Sequence, residues 1–389
     1  MAVKYKINLS VIRWACDRAG LPFYCLNDIA SSIKNSSEEQ NSVDLTMNQI
    51  ERISSRVHIG SARLFSKVAP KQDLEFLPDF RTLSDKELFF LSQNLKRTIY
   101  QCKIQTNWYR EYSIEQGFAP VSCVGVFNYN NITAKEACSV FKEKYHYKKE
   151  QYSKVEQQFS FLRHWIETLG VLVFKASYTC SNTRAVLNIN EFRGFAIVDE
   201  YAPLVFINSN DSISAQCFSL IHELAHVLIS EGGISQDCVS DLKNEMKLEK
   251  WCNEFAAEFL VPDNEIFFDQ NSDINSQIDN LAKYFKVSSL VILRKLYSLN
   301  LLERKLFFEL FECKKKEAIE AFNKMKLEQK RKEKTIPNKT VKKSFLSDNF
   351  LRSVVSSVYS GSLRYTDAFK LLNMKSISSF NSLASSLND

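Results

Sequence analysis

Only 9 of the 389 residues are glycine, while 29 are phenylalanine. That balance suits a mostly helical, well-packed chain, long enough for two or three domains. No apolar run approaches the roughly 20 residues that a membrane-spanning helix needs, so no such span is expected. The start, Met1-Ala2-Val3-Lys4-Tyr5-Lys6, has no basic region followed by an apolar core, so no secretory leader is expected either. The cytoplasm is the expected compartment. Ten cysteines fit it as buried thiols, because none forms a Cys-x-x-Cys pair and their spacing has no pattern. Excess charge is confined as well: of a net +6, residues 314–343 hold twelve Lys/Arg and four Asp/Glu, which leaves about −2 for the rest. Such a run reads as a solvated helix or linker, with nucleic-acid contact as the sharper alternative and DNA as the further partner it would imply.

Histidine is rare too, at five, yet two of the five stand in His222-Glu223-Leu224-Ala225-His226. Four residues apart on a helix, they share one face and can reach one small metal ion. Glu223 stands beside the first of them, where a carboxylate can take a proton from a metal-bound water. The plainer alternative is a buried helix carrying two satisfied histidines. Downstream, Leu248, Trp251, Cys252, Phe255, Phe259 and Leu260 recur at helical spacing and Pro262 ends the run. Glu249 falls on the edge of that stripe. A carboxylate there is costly to bury without a cation, so His222, His226 and Glu249 would supply the three protein ligands of a catalytic zinc with a fourth position open. Glu245, Glu254 and Glu258 are rival carboxylates, and a solvated helix face is the alternative for Glu249 itself. Asn253, one turn on, could accept a hydrogen bond from a ligand imidazole and fix its tautomer. Cys217 and Cys252 lie on the same two helices but on their apolar stripes, which makes them core.

His-Glu-Leu-Ala-His followed by Glu249-Lys250-Trp251-Cys252-Asn253 and Phe255-Ala256-Ala257-Glu258-Phe259-Leu260-Val261-Pro262 resembles the ImmA/IrrE family of metallopeptidases, whose site is similar to that of the thermolysin-like gluzincins. The lead-in resembles the family's longer members: Glu191-Phe192-Arg193-Gly194-Phe195-Ala196, then Asp199-Glu200-Tyr201-Ala202-Pro203-Leu204-Val205-Phe206-Ile207-Asn208. The resemblance spans residues 160–262. It implies a zinc endopeptidase whose protein substrate is a regulator of the repressor or antitoxin class. It also implies that the segment around residues 194–197 takes substrate as an added strand. The alternative is a DNA-binding transcription regulator or toxin-antitoxin component whose metal domain does no hydrolysis.

The resulting expectation is an α+β chain, mostly helical, with a small mixed β-sheet packed on a zincin-type helix pair. Residues 1–85 read as short helices at 11–20, 26–33 and from Thr46 toward Val57, and resemble a degenerate XRE-type helix-turn-helix domain. Its recognition-helix position, residues 34–42, is polar and acidic, with Lys34 the one basic side chain for the phosphate contacts that DNA binding needs. Residues 86–165 form a helical connecting region, with helices at 134–144 and 155–169. The peptidase region is 166–300, with β-branched and aromatic runs at 171–174, 194–198 and 204–207 as strands. A helical hairpin at 278–285 and 289–299 closes that region; a basic helix or linker at 301–344 and a small helical cap at 345–389 follow.

Overall fold

The computed structural model describes residues 3–18, 23–30, 33, 41–57, 61–66, 68, 92–150, 152–179, 182, 185–229, 242–269, 272–331 and 345–388. Two compact units divide the chain, Met1–Tyr100 and Gln101–Asp389. The fold class is α+β.

In the first unit Lys4–Asn8 (β1) pairs antiparallel with Ser42–Thr46 (β2), placing Tyr5 opposite Leu45 and Ile7 opposite Val43. This strand pair corrects the all-helical reading of residues 1–85. Both segments alternate polar with apolar residues, so one face buries Ile7, Val43 and Leu45 while the other stays wet. Each run is only five residues long and its partner is far away in sequence, so no hairpin turn advertises the pairing. Leu9–Arg18 (α1) and Met47–Arg56 (α2) supply Leu9, Ile12, Ile50 and Ile53 to the same core. Thr46 starts α2 through a capping box, its hydroxyl accepting from the Gln49 amide while the Gln49 side chain accepts from the Thr46 amide at 2.9 Å. Of the helix expected at 26–33, the first part is instead a 3-10 turn at Phe23–Leu26 with further turns after it, Ile33 is helical, and residues 31–32 lie outside the described residues. Of the expected recognition-helix stretch, residues 34–40 lie outside the described residues and Ser42 opens β2.

Gln93–Glu115 (α3) carries the boundary between the units. Ala134–Lys144 (α4) and Val155–Thr168 (α5) follow, close to their expected spans. The sheet of the second unit holds Leu172–Ala176 (β3), Gly194–Ile197 (β4) and Leu204–Asn208 (β5). Its order is β3-β5-β4, with β3 parallel and β4 antiparallel to the central, fully buried β5. Strand β4 therefore ends the sheet among the described residues. Against β4 and β5 packs Ile213–Ile229 (α6), and against α6 packs Leu242–Leu260 (α7). Neither helix contains glycine or proline, and each buries a stripe at helical spacing: Cys217, Leu220, Ile221, Leu224 and Leu228 on α6, Trp251, Cys252, Phe255 and Phe259 on α7.

That core is shared with the region expected to connect the domains. Cys138 and Phe141 of α4 and Phe159, Leu162 and Ile166 of α5 belong to the same cluster as the α6 and α7 stripes. Ile274–Phe285 (α8) and Ser289–Ser298 (α9) close it as a hairpin through Ile278, Phe285, Leu293 and Leu296, with Lys286 left-handed at the turn. Arg304–Arg331 (α10) packs its first turns on the core through Phe307, Leu310 and Phe311, and is exposed at every residue from Lys315 to Ala321. Three helices end the chain: Asp348–Tyr359 (α11), Tyr365–Leu372 (α12) and Ile377–Asn388 (α13). Phe350 of α11 sets its ring 5.7 Å from Trp108 and 5.5 Å from Phe174, and Gln105 donates to the Leu371 carbonyl at 2.7 Å. No helix among the described residues is long and apolar enough to cross a membrane.

Candidate metal centre

The imidazoles of His222 and His226 leave the same face of α6 one turn apart, their ring centroids 4.9 Å from each other and their Nε2 atoms 3.2 Å apart. From α7, Glu249 reaches both: Oε2 lies 3.3 Å from His222 Nε2, and Oε1 lies 3.3 Å from His226 Nε2. Among the described residues this is the one group of three or more His, Cys, Asp or Glu side chains whose ligand atoms converge. Two nitrogen lone pairs and a carboxylate aimed at one another repel unless protons or a cation stand between them. Zinc at about 2.0–2.1 Å from tetrahedral ligands sets neighbouring ligand atoms about 3.3 Å apart. The observed separations match that spacing, and the donor set, two imidazoles and one carboxylate, suits that ion. Glu249 Oε1 is buried without a hydrogen-bond partner, as a ligand atom should be before its cation is added.

Charge follows from the same geometry. Burial alone would raise the Glu249 carboxyl, but the His222 and His226 imidazoles beside it outweigh this and hold the group at about 2. For His222, burial disfavours the charged ring, yet Glu249 and Glu223 more than offset this and its pKa is raised. Glu223 is pushed up by burial, which the nearby imidazoles only partly oppose. A carboxylate in that condition holds a proton more readily than a solvated one does.

The remaining sequence candidates fall into place around this centre. Asn253 is exposed one turn beyond Glu249, and its amide nitrogen donates to the Glu249 carbonyl oxygen at 2.8 Å. Its pull on the protonated His222 ring is weaker than that of the two glutamates, and His222 Nδ1 is buried without a hydrogen-bond partner. Glu254 points to solvent beside Lys250 at 3.7 Å, and Glu258 is buried against Lys295, so neither joins the centre. The side chain of Glu245 lies outside the described residues. Cys217 is fully buried and its thiol is pushed up to about 12, which keeps it a protonated core residue.

Gly194, at the start of β4, is expected within the substrate-accepting segment, but its contact with Glu223 escapes the sequence. A Cβ built on it would stand 2.9 Å from Glu223 Cγ and 3.1 Å from Glu223 Oε1. The signal was present as a glycine opening a β-branched and aromatic run, a position that often marks close approach of another group.

Two imidazoles and a carboxylate converging between two packed helices, with a second carboxylate alongside, form a candidate metal-ion site. Residues 166–297, from within α5 to the end of α9, match the family model of the IrrE N-terminal-like domain, Peptidase_M78. That match supports the ImmA/IrrE family and a metal-dependent peptidase for this region. Residues 346–386 match a domain of unknown function, DUF8813, which coincides with α11 to α13. No curated protein and no solved structure matches the chain.

Proposed function

We propose that the chain is a zinc-dependent endopeptidase that cuts a regulatory protein of the repressor or antitoxin class. The observation that carries the chemistry is the convergence of His222, His226 and Glu249 on one point with Glu223 alongside. Zinc bound there would lower the pKa of a coordinated water toward neutrality and polarise a peptide carbonyl. His222 and His226 orient that centre through Nε2, and Glu249 balances its charge from α7. Glu223 takes the proton from the attacking water on its carboxylate and passes it to the leaving amine nitrogen. Its burial supports the second half of this role, because a raised carboxyl pKa favours holding the proton between the two steps.

Substrate binding follows from the ladder. Asn208 N donates to Arg193 O at 2.8 Å, so in the antiparallel alternation Phe195 and Ile197 also face β5. Gly194 and Ala196 then turn their N–H and C=O groups to the free edge, where an extended peptide can pair with them. Main-chain pairing of this kind supports a peptide or protein substrate. The regulator class is carried over from the ImmA/IrrE resemblance.

The test is Glu223→Gln in the full chain, assayed against candidate regulators encoded beside it. Retained zinc with loss of a single, site-specific cleavage is expected. Cleavage equal to the parent's removes Glu223 from the mechanism, and indiscriminate digestion of unfolded casein removes the regulator class.

A further inference from the structure

We infer that Gly194 is a positioning residue: the side chain it lacks is the space in which the Glu223 carboxylate sits. This rests on the reading of Glu223 as the base, but its geometry is independent of that reading. Glycine weakens a strand, because it loses more backbone freedom on folding and packs nothing. Its presence at the head of β4 therefore calls for a local reason. Strand parity aims the missing Cβ at α6, and α6 packs on β4. There a methyl group would meet Glu223 Cγ at 2.9 Å, Glu223 Oε1 at 3.1 Å and the Phe206 carbonyl oxygen at 3.0 Å. Real Cβ atoms essentially never come as close as the 2.9 Å contact with Cγ, and the other two are tighter than most, so an alanine must move something.

Two of the three obstacles belong to Glu223 and the third to the backbone of β5. Phe206 is held in the middle of the sheet, stacked on Phe195 at 4.9 Å with both strands of the pair in register, so it yields least. Glu223 yields, and its carboxylate leaves the gap between α6 and the edge strand. The same residue offers its outward N–H and C=O to the free edge. Gly194 thereby lets the base and a paired peptide occupy adjacent space, and any side chain at 194 separates them.

Stability coupling decides the matter without any need for a substrate. Melting temperatures are compared in the zinc-loaded full chain for the parent, Gly194→Ala, Glu223→Ala and the double variant. Gly194→Ala should melt several degrees below the parent. In the Glu223→Ala background, where Cγ and Oε1 are gone, most of that decrease should vanish. An equal decrease in both backgrounds overturns the inference and assigns the glycine to the Phe206 carbonyl alone. Turnover of a quenched-fluorescent peptide library supplies the second readout: Gly194→Ala should keep one zinc per chain and lose about 100-fold in rate, the order expected when a reacting group is misplaced by about 1 Å. Full turnover in Gly194→Ala also overturns it. Full turnover in Glu223→Gln instead sinks the base assignment and leaves the melting comparison standing.

Discussion

Helix α7 carries two carboxylates nine residues apart, Glu249 half-buried and Glu258 buried, in opposite electrostatic situations. Glu258 is enclosed with Lys295, which also holds Asp263 at 2.6 Å, while Lys135 reaches Asp263 at 2.8 Å. Two acids face two lysines, and the cluster is neutral as it stands. Asp263 shows the result: burial would raise its carboxyl, but hydrogen bonds from Lys135 and Lys295 hold it at about 2. Glu249 faces Glu223 and two imidazoles instead, a group that carries about −2 when the rings are neutral. Among the described residues no lysine or arginine completes it. The first arrangement is finished by the chain and ties α7 to α9; the second leaves its charge to be balanced by protons or a cation. Buried charge alone does not mark a functional centre, and what separates the two is whether the chain itself supplies the opposite charge.

Breaking the self-contained cluster should have the largest effect on folding and none on metal. Lys295→Met leaves Glu258 and Asp263 buried with one lysine between them, a loss of about 3–5 kcal/mol in unfolding free energy. Chemical denaturation checks the magnitude, and zinc content should stay at one per chain. Loss of zinc together with stability would mean that the two sites are not separable.

Acidity should act on the two sites with different signs. In the metal-free protein the raised pKa of His222 contributes stability that is present below the ordinary histidine value of 6.5 and is lost as pH rises through the folded value. Asp263, held at about 2, contributes above the ordinary 3.8 and loses that contribution only as pH falls toward 2. Between pH 6 and 8 the metal-free chain should therefore become less stable with rising pH. Zinc needs neutral imidazoles, so the stabilisation it adds at fixed free zinc grows over the same range. Melting curves at pH 6 and pH 8, with zinc and with a chelator, should show this reversal. Parallel trends in both states would contradict the assignment of His222 to the metal centre.

The smallest effect belongs to the rival carboxylate that neither site uses. Glu254 is exposed beside Lys250, so Glu254→Ala should change stability by less than about 0.5 kcal/mol and leave zinc and cleavage unchanged. A change in metal content would reopen the choice between Glu249 and Glu254.

Much of the second unit could be read before its coordinates, because its signals are local. The four-residue spacing of His222 and His226 fixes a shared helix face, and the stripe from Leu248 to Leu260 fixes which side of α7 turns inward. Runs of β-branched and aromatic residues located β3, β4 and β5 within two residues of their ends. What escaped depends on tertiary neighbours. Lys295 lies in the buried stripe of α9, where sequence alone gives no sign of acids at 258 and 263 waiting for it. Strands β1 and β2 pair across more than thirty residues with no hairpin signal in the sequence, so their period-2 alternation had no partner to confirm it. The sequence puts Gly194 in the edge segment but not against Glu223, since that tight contact comes from a helix that starts nineteen residues later.

The central claim is that the carboxylate brought in by α7 completes a metal centre begun on α6. Elemental analysis of the purified full chain and of Glu249→Ala, dialysed against the same zinc buffer, tests it most directly. The account predicts close to one zinc per parent chain and a clear loss in the variant, with the fold retained by circular dichroism. Equal zinc in both proteins would contradict it, because two imidazoles on one helix would then hold the ion without Glu249.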